Sequence, residues 1–64
     1  MRNKIKELRK QMGLRQEDMA KELGVTRQTI NAVENGKYNP TLELAMKLAK
    51  LLKRPVEDIF ELDD

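Results

Sequence analysis

The sequence predicts an all-α fold of five short helices, and three observations carry that expectation. Apolar residues recur at helical spacing along the chain, with no alternating strand pattern, internal repeat or low-complexity run. Gly, Thr and Pro fall at the ends of these periodic stretches, where helices start and stop. Cys and His are both absent, which excludes disulfides, thiolate metal sites and the commonest transition-metal ligand. A 64-residue chain without such staples makes one domain, residues 1–64, and depends on regular helix packing, with oligomerisation as a further aid.

The first helix is expected over about residues 2–12, with Ile5, Leu8 and Met12 on one side, Gly13 ending it and Leu14 following as an apolar plug. The second covers about 16–23. Glu17 and Asp18 occupy its first turn, where the helix dipole favours negative charge, and Met19, Ala20 and Leu23 form its inner stripe. Gly24 can take the left-handed conformation that closes it. Thr26 caps the third helix, 27–34, and Asn35-Gly36 stops it. After the loop "KYNP", Thr41 caps a fourth helix, 42–52. Its wide apolar side comprises Leu42, Ala45, Leu48, Ala49 and Leu52, flanked by Leu44 and Leu51, and Lys53 and Arg54 suit its negative end. Pro55 forbids continuation and opens a short fifth helix, 56–60, followed by an acidic, frayed tail over 61–64.

Charge is nearly balanced overall, at +2, but unevenly placed. Residues 1–38 carry nine Lys/Arg against five Asp/Glu, and residues 39–64 carry four against six. The first part can face a polyanion and the second would be repelled by one. No segment approaches the ~20 apolar residues of a membrane span. The basic start "MRNKIKELRK" lacks the apolar region of a secretory signal, so a cytoplasmic, soluble protein is expected.

The third helix has an unusual outer face. At ~100° per residue, Val25, Thr29, Ile30 and Val33 share an inner sector, while Arg27, Gln28, Asn31 and Asn35 lie opposite with Ala32 at their edge. A merely solvated face commonly carries Lys and Glu; this one is rich in guanidinium and carboxamide. Arg presents a fork of donors suited to guanine edges in the major groove, and Gln an amide suited to adenine edges. Asn and Thr reach bases or phosphates, and the small Ala32 permits close approach and offers a methyl to thymine. With the preceding helix and its Gly-containing turn, this makes a helix-turn-helix whose second member enters the groove.

The stretch "GLRQEDMAKELGVTRQTINAVENGKYNPTLELAMKLAKLL" closely resembles the phage-repressor-like (Xre-type, Cro/C-repressor) helix-turn-helix family. Gln16 opening the second helix, Ala20 at its crossing, "LGVT" as the turn, inward Ile30 and "ENGKYNP" after the third helix carry the resemblance. It implies a compact five-helix, lambda-repressor-like DNA-binding domain acting as a homodimer on a palindromic operator. By the same resemblance Arg27, Gln28, Asn31 and Ala32 are the base-reading positions. Gln16 would bond a phosphate and brace Gln28, and Thr26, Asn35, Lys37 and Tyr38 would contact the backbone. Glu34 would pair with Arg9 as a structural ion pair locking the first helix to the third. One departure stands out: Arg15 occupies a capping position that is often Ser or Thr in the family. The lost cap is worth ~1 kcal/mol, and the added cation beside the phosphate path makes Arg15 a backbone-contact candidate.

A single module on DNA buries only ~600–1,000 Å², so two copies are expected, with Ile59, Phe60 and Leu62 and the last turn of the fourth helix as dimer candidates. Core closure is the first reading of Ile59 and Phe60, and Leu62 is the more open case. The leading expectation is a sequence-specific regulator, acting as a repressor, that needs no cofactor, metal or small-molecule effector. The alternative is a protein-interaction module, such as an antitoxin or adaptor, using a patch around Met46 and Leu51. An enzyme is not expected. The chain has no Ser, Cys or His nucleophile or base, no paired carboxylates in a cleft and no Gly-rich phosphate cradle.

Overall fold

Helix boundaries follow the residues that can cap or break them. The computed structural model describes residues 1–63 and contains β1 (Arg2–Asn3), α1 (Ile5–Gln11), α2 (Gln16–Leu23), α3 (Arg27–Glu34), α4 (Leu42–Leu52), α5 (Val56–Ile59) and β2 (Phe60–Glu61). Thr26 Oγ1 accepts the Thr29 amide at 3.2 Å and Thr41 Oγ1 accepts the Leu44 amide at 3.1 Å, so both hydroxyls relieve orphan donors of the following first turn. Between α2 and α3, Gly24 sits at φ 71° and the Val25 amide returns to Ala20 O at 3.0 Å. That left-handed residue turns the chain sharply enough for α3 to cross α2 directly. α4 ends in the same geometry without a glycine. Lys53 is held at φ 58° while the Arg54 amide bonds Ala49 O at 3.2 Å.

The inner stripes converge on one cluster of Ile5, Leu8, Met19, Ala20, Leu23, Ile30, Val33, Leu44, Leu48, Leu52 and Ile59, with Val25, Ala49, Leu51 and Phe60 packed against it. Full burial of such side chains is worth about 1.5–3 kcal/mol each, and this cluster is what holds α3 to the rest of the domain.

The ends of the chain correct the expectation. α1 starts at Ile5 rather than near residue 2, because Asn3 Oδ1 accepts the Ile5 amide at 3.2 Å and the two residues before Lys4 are extended. The tail is not frayed over its first residues. β1 and β2 pair antiparallel with Arg2 opposite Glu61 and Asn3 opposite Phe60. The Lys4 amide also bonds Ile59 O at 2.8 Å. α5 stops at Ile59 because Phe60 turns extended, at φ −112° and ψ 144°, to join this pair. Residue 64 of the expected tail lies outside the described residues. Two predicted core residues are exposed. Met12 is already past the last turn of α1, and Leu42, the first residue of α4, lies about 120° round the helix from the middle of the Leu44–Leu48–Leu52 stripe.

Candidate nucleic-acid interface

α3 is fixed from behind and open in front. Ile30 and Val33 are buried, while Arg27, Gln28 and Asn31 are exposed and Ala32 is half-buried at their edge. With Gln16 from the start of α2, Arg27, Gln28 and Asn31 line one open groove. Arg27 has no ion-pair or side-chain hydrogen-bond partner among the described residues. Its side chain is exposed. Asn31 Oδ1 accepts from Asn35 Nδ2 at 3.1 Å, which steadies the Asn31 amide and leaves its own N–H groups to donate outward. The Thr26 and Thr29 hydroxyls lie 3.0 Å apart at the start of the helix. Beyond its end, Lys37 is exposed, and Tyr38 sits beside Val25, Thr29 and Thr41 on the flank of the turn.

Behind this face lies a buried polar joint. Arg9 Nε and Nη2 donate to Glu34 Oε2 and Oε1 at 2.7 and 3.2 Å, with side chains only 8% and 2% exposed. Arg9 Nη1 donates to Leu14 O at 2.8 Å, and Gln16 Nε2 donates to Glu34 Oε1 at 3.1 Å. One carboxylate thereby ties α1, α2 and the end of α3 together, and no buried side-chain polar atom among the described residues lacks a partner. This changes the expected role of Gln16. Its amide bonds Glu34 rather than Gln28, because the carboxylate is charged and already fixed in place, whereas Gln28 is exposed.

Asn3 is a participant that sequence reasoning missed. Its Nδ2 donates to Val33 O at 2.8 Å, tying the β1–β2 clasp to the last turn of α3. No local pattern announces such a contact between residues thirty positions apart.

The start of α2 carries the other charged cluster. An arginine side chain has no acceptor, so Arg15 makes no cap of its own. Instead Asp18 Oδ2 accepts the Arg15 backbone amide at 2.9 Å, supplying the reciprocal half of a capping box. The spacing of three residues between Arg15 and Asp18 was the available signal. The same carboxylate accepts Arg15 Nε and Nη2 at 3.1 and 3.3 Å, and Arg15 Nη1 lies 3.2 Å from Glu17 Oε1. The side-chain and backbone bonds from Arg15 lower the Asp18 pKa, and the Asp18 bond together with the Asp18 and Glu17 charges raises that of Arg15.

The dimer candidates divide. Ile59 is 1% exposed and belongs to the core, which removes it from that set, and Phe60 packs against the same core. Both sit at the β1–β2 clasp, where the Lys4 amide bonds Ile59 O at 2.8 Å and Asn3 lies opposite Phe60. Leu62 is 72% exposed.

A short helix set by a glycine turn on a second helix, with a donor-rich outward face and an apolar back, defines a helix-turn-helix DNA-binding domain. The chain belongs to the helix-turn-helix family, whose model matches residues 5–59, and is a transcriptional regulator of that class. It is 55% identical to an uncharacterised HTH-type transcriptional regulator of Methanocaldococcus jannaschii, over all of this chain and 97% of that protein. It is 39% identical, over 89% of this chain and 51% of the relative, to RstR, the cryptic phage CTXphi transcriptional repressor of Vibrio cholerae. Among solved structures, the restriction-modification controller protein C.AhdI of Aeromonas hydrophila superposes with a TM-score of 0.78 at 36% identity, covering 88% of this chain and 85% of that one. Among the described residues no helix is long and apolar enough to cross a membrane, and no group of three His, Cys, Asp or Glu is placed to hold a metal ion.

Proposed function

We propose that this domain is a sequence-specific repressor that lays α3 in the major groove of a palindromic operator as a homodimer. The observation that carries the reading is the open groove in which Arg27, Gln28 and Asn31 of α3 stand with Gln16 of α2, while Ile30 and Val33 on the other side of α3 are buried. In this reading Arg27, Gln28 and Asn31 read base edges, with Ala32 against a thymine methyl. Gln16, Arg15, Thr26, Asn35, Lys37 and Tyr38 meet the backbone on either side. The Arg9–Glu34 joint keeps the reader at a fixed angle. Leu62, exposed on the tail, contributes to the dimer surface, and half-sites about one helical turn apart follow from two-fold symmetry. The repressor relative RstR supports the direction of regulation, and the cytoplasm, where DNA is reached directly, is the expected compartment.

Selection of binding sites from a random duplex pool tests the proposal. Enrichment of a symmetric site is the expected result. Enrichment of an asymmetric single site would remove the homodimer, and no enrichment at all would remove the DNA reader in favour of a surface that engages protein.

A further inference from the structure

The proposed function uses Arg15 as a phosphate contact, yet in the free protein that guanidinium is already occupied. Nε and Nη2 donate to Asp18 at 3.1 and 3.3 Å, and Nη1 faces Glu17 at 3.2 Å. All three of its nitrogens therefore meet carboxylate. The Asp18 carboxylate is in turn held in place by the Arg15 backbone amide at 2.9 Å, so it cannot follow the guanidinium when that side chain swings away. The pair is solvent-exposed, with side-chain exposures of 74% for Arg15, 56% for Glu17 and 37% for Asp18. Carboxylate and phosphate oxygens compete for the same donors from the same aqueous surroundings, since both accept charge-assisted bonds from a guanidinium fork. The position is also next to the reader, because Gln16, the following residue, lines the groove with Arg27, Gln28 and Asn31.

We propose that Asp18, assisted by Glu17, is an internal competitor of the DNA backbone. Arg15 reaches a phosphate only by leaving the Asp18 carboxylate, and this exchange lowers affinity for every duplex without altering which sequence is preferred. The inference rests on the reading of α3 and the start of α2 as the DNA-facing surface. Asp18 is thus an affinity-setting residue with a structural duty. It completes the first turn of α2 through the Arg15 amide and withholds the Arg15 side chain through the same carboxylate. Lys21, one turn further along α2, is the other cation acting on Asp18. Because the bonds from Arg15 lower the Asp18 pKa, its carboxyl stays ionised across the neutral range, and the competition is relieved by phosphate rather than by protons.

A double-mutant cycle tests this. Asp18→Asn keeps an acceptor for the Arg15 amide and removes the charge. Binding to a labelled duplex of arbitrary sequence is measured across salt for the wild type, Asp18→Asn, Arg15→Gln and the double variant, with circular dichroism confirming equal helix content. Asp18→Ser, also a neutral cap acceptor, repeats the cycle should Asn disturb α2. The expected result is tighter binding by Asp18→Asn, up to about fivefold as for other exposed pairs, and no gain from Asp18→Asn once Arg15 is Gln. An equal gain in both backgrounds would mean simple removal of a negative charge and would overturn the proposal. So would no gain in either. A wild type that binds no duplex even at low salt would overturn the DNA reading itself. Salt-sensitive wild-type binding with a failed cycle overturns the competition alone, and the two failures stay distinguishable.

Discussion

Arg9 reaches Glu34 across the interior with side chains 8% and 2% exposed, whereas Arg15 reaches Asp18 along the surface with side chains 74% and 37% exposed. Both pairs place two guanidinium nitrogens on one carboxylate. Their partners differ: the Arg9–Glu34 pair is completed by Leu14 O and Gln16, the Arg15–Asp18 pair by the Arg15 backbone amide and Glu17. The desolvated pair is expensive to break because each group left behind has no water to turn to. The exposed pair exchanges readily because water and phosphate replace either partner at little cost. Arg27, exposed and without a carboxylate partner among the described residues, completes the series. One residue type serves in this small domain as a joint, as a restrained contact and as a free reader, and its surroundings determine which.

The largest test of that comparison is Glu34→Ala. It strands Arg9 and Gln16 together, and loss of one partner from a buried pair typically costs about 3–5 kcal/mol. Against the roughly 5–15 kcal/mol of an ordinary domain, that is enough to unfold much of the population at moderate temperature. Replacing both partners, as Arg9→Met with Glu34→Leu, is expected to cost less than either single truncation, because no charge is left unpaired. Chemical denaturation of the single and double variants checks this. A double variant as unstable as the sum of its parts would show that the joint is not one coupled unit.

Next comes the unpartnered arginine. Arg27→Ala is expected to weaken operator binding by ~1–3 kcal/mol and to relax preference at one base pair, whereas Lys37→Ala weakens all sequences alike. Binding to a panel of single-base operator variants separates the two. If Arg27→Ala and Lys37→Ala shift the whole panel equally, Arg27 is not a reader and the series loses its third member.

Much of this architecture was legible because its signals are local. Gly24 and Thr26 bracket the turn, Thr41 and Pro55 set the limits of α4 and α5, and the apolar spacing of α2 to α4 marks their inner faces. The outward Arg27, Gln28 and Asn31 follow from the same angular argument. What escaped was set by contacts between distant parts of the chain. The β1–β2 clasp involves two residues on each side, too few for an alternating pattern, and its link to α3 runs through Asn3, whose sequence neighbours give no hint of it. Core closure is the first reading of Ile59, and its burial agrees with it; what the sequence does not show is that the Lys4 amide bonds its carbonyl. Gln16 points to Glu34 because a buried carboxylate is a stronger attractor than an exposed amide. Lys53 takes a left-handed cap that composition assigns to glycine, since the Arg54–Ala49 bond and the following Pro55 hold the chain there.

The Arg2–Glu61 pair extends the exposed end of the comparison. It is short, at 2.8 Å, but its side chains are 70% and 57% exposed. Arg2→Ala should therefore cost no more than about 1 kcal/mol in thermal or chemical unfolding despite the good geometry. A loss approaching that of Glu34→Ala would mean that the clasp, rather than burial, governs the worth of an arginine pair here.

The smallest effect belongs to Asp18 in the DNA-free protein and is read as a dependence on pH. Bonds from the Arg15 side chain and backbone lower the Asp18 pKa, so the folded state binds the proton more weakly than the unfolded chain does. The stabilisation is then fully present above the ordinary aspartate range and is lost as pH falls through the lowered folded value. At neutral pH the stability difference between wild type and Asp18→Asn should be constant, and it should close only in acid, below the pH at which a free aspartate titrates. Arg15→Gln should move the Asp18 carboxyl titration, followed by NMR, back toward its ordinary position. A midpoint unmoved by that substitution would show that the residue-15 backbone amide, the helix dipole and Lys21 hold Asp18 ionised without the guanidinium. The surface pair would then have no energetic content to set against the buried one.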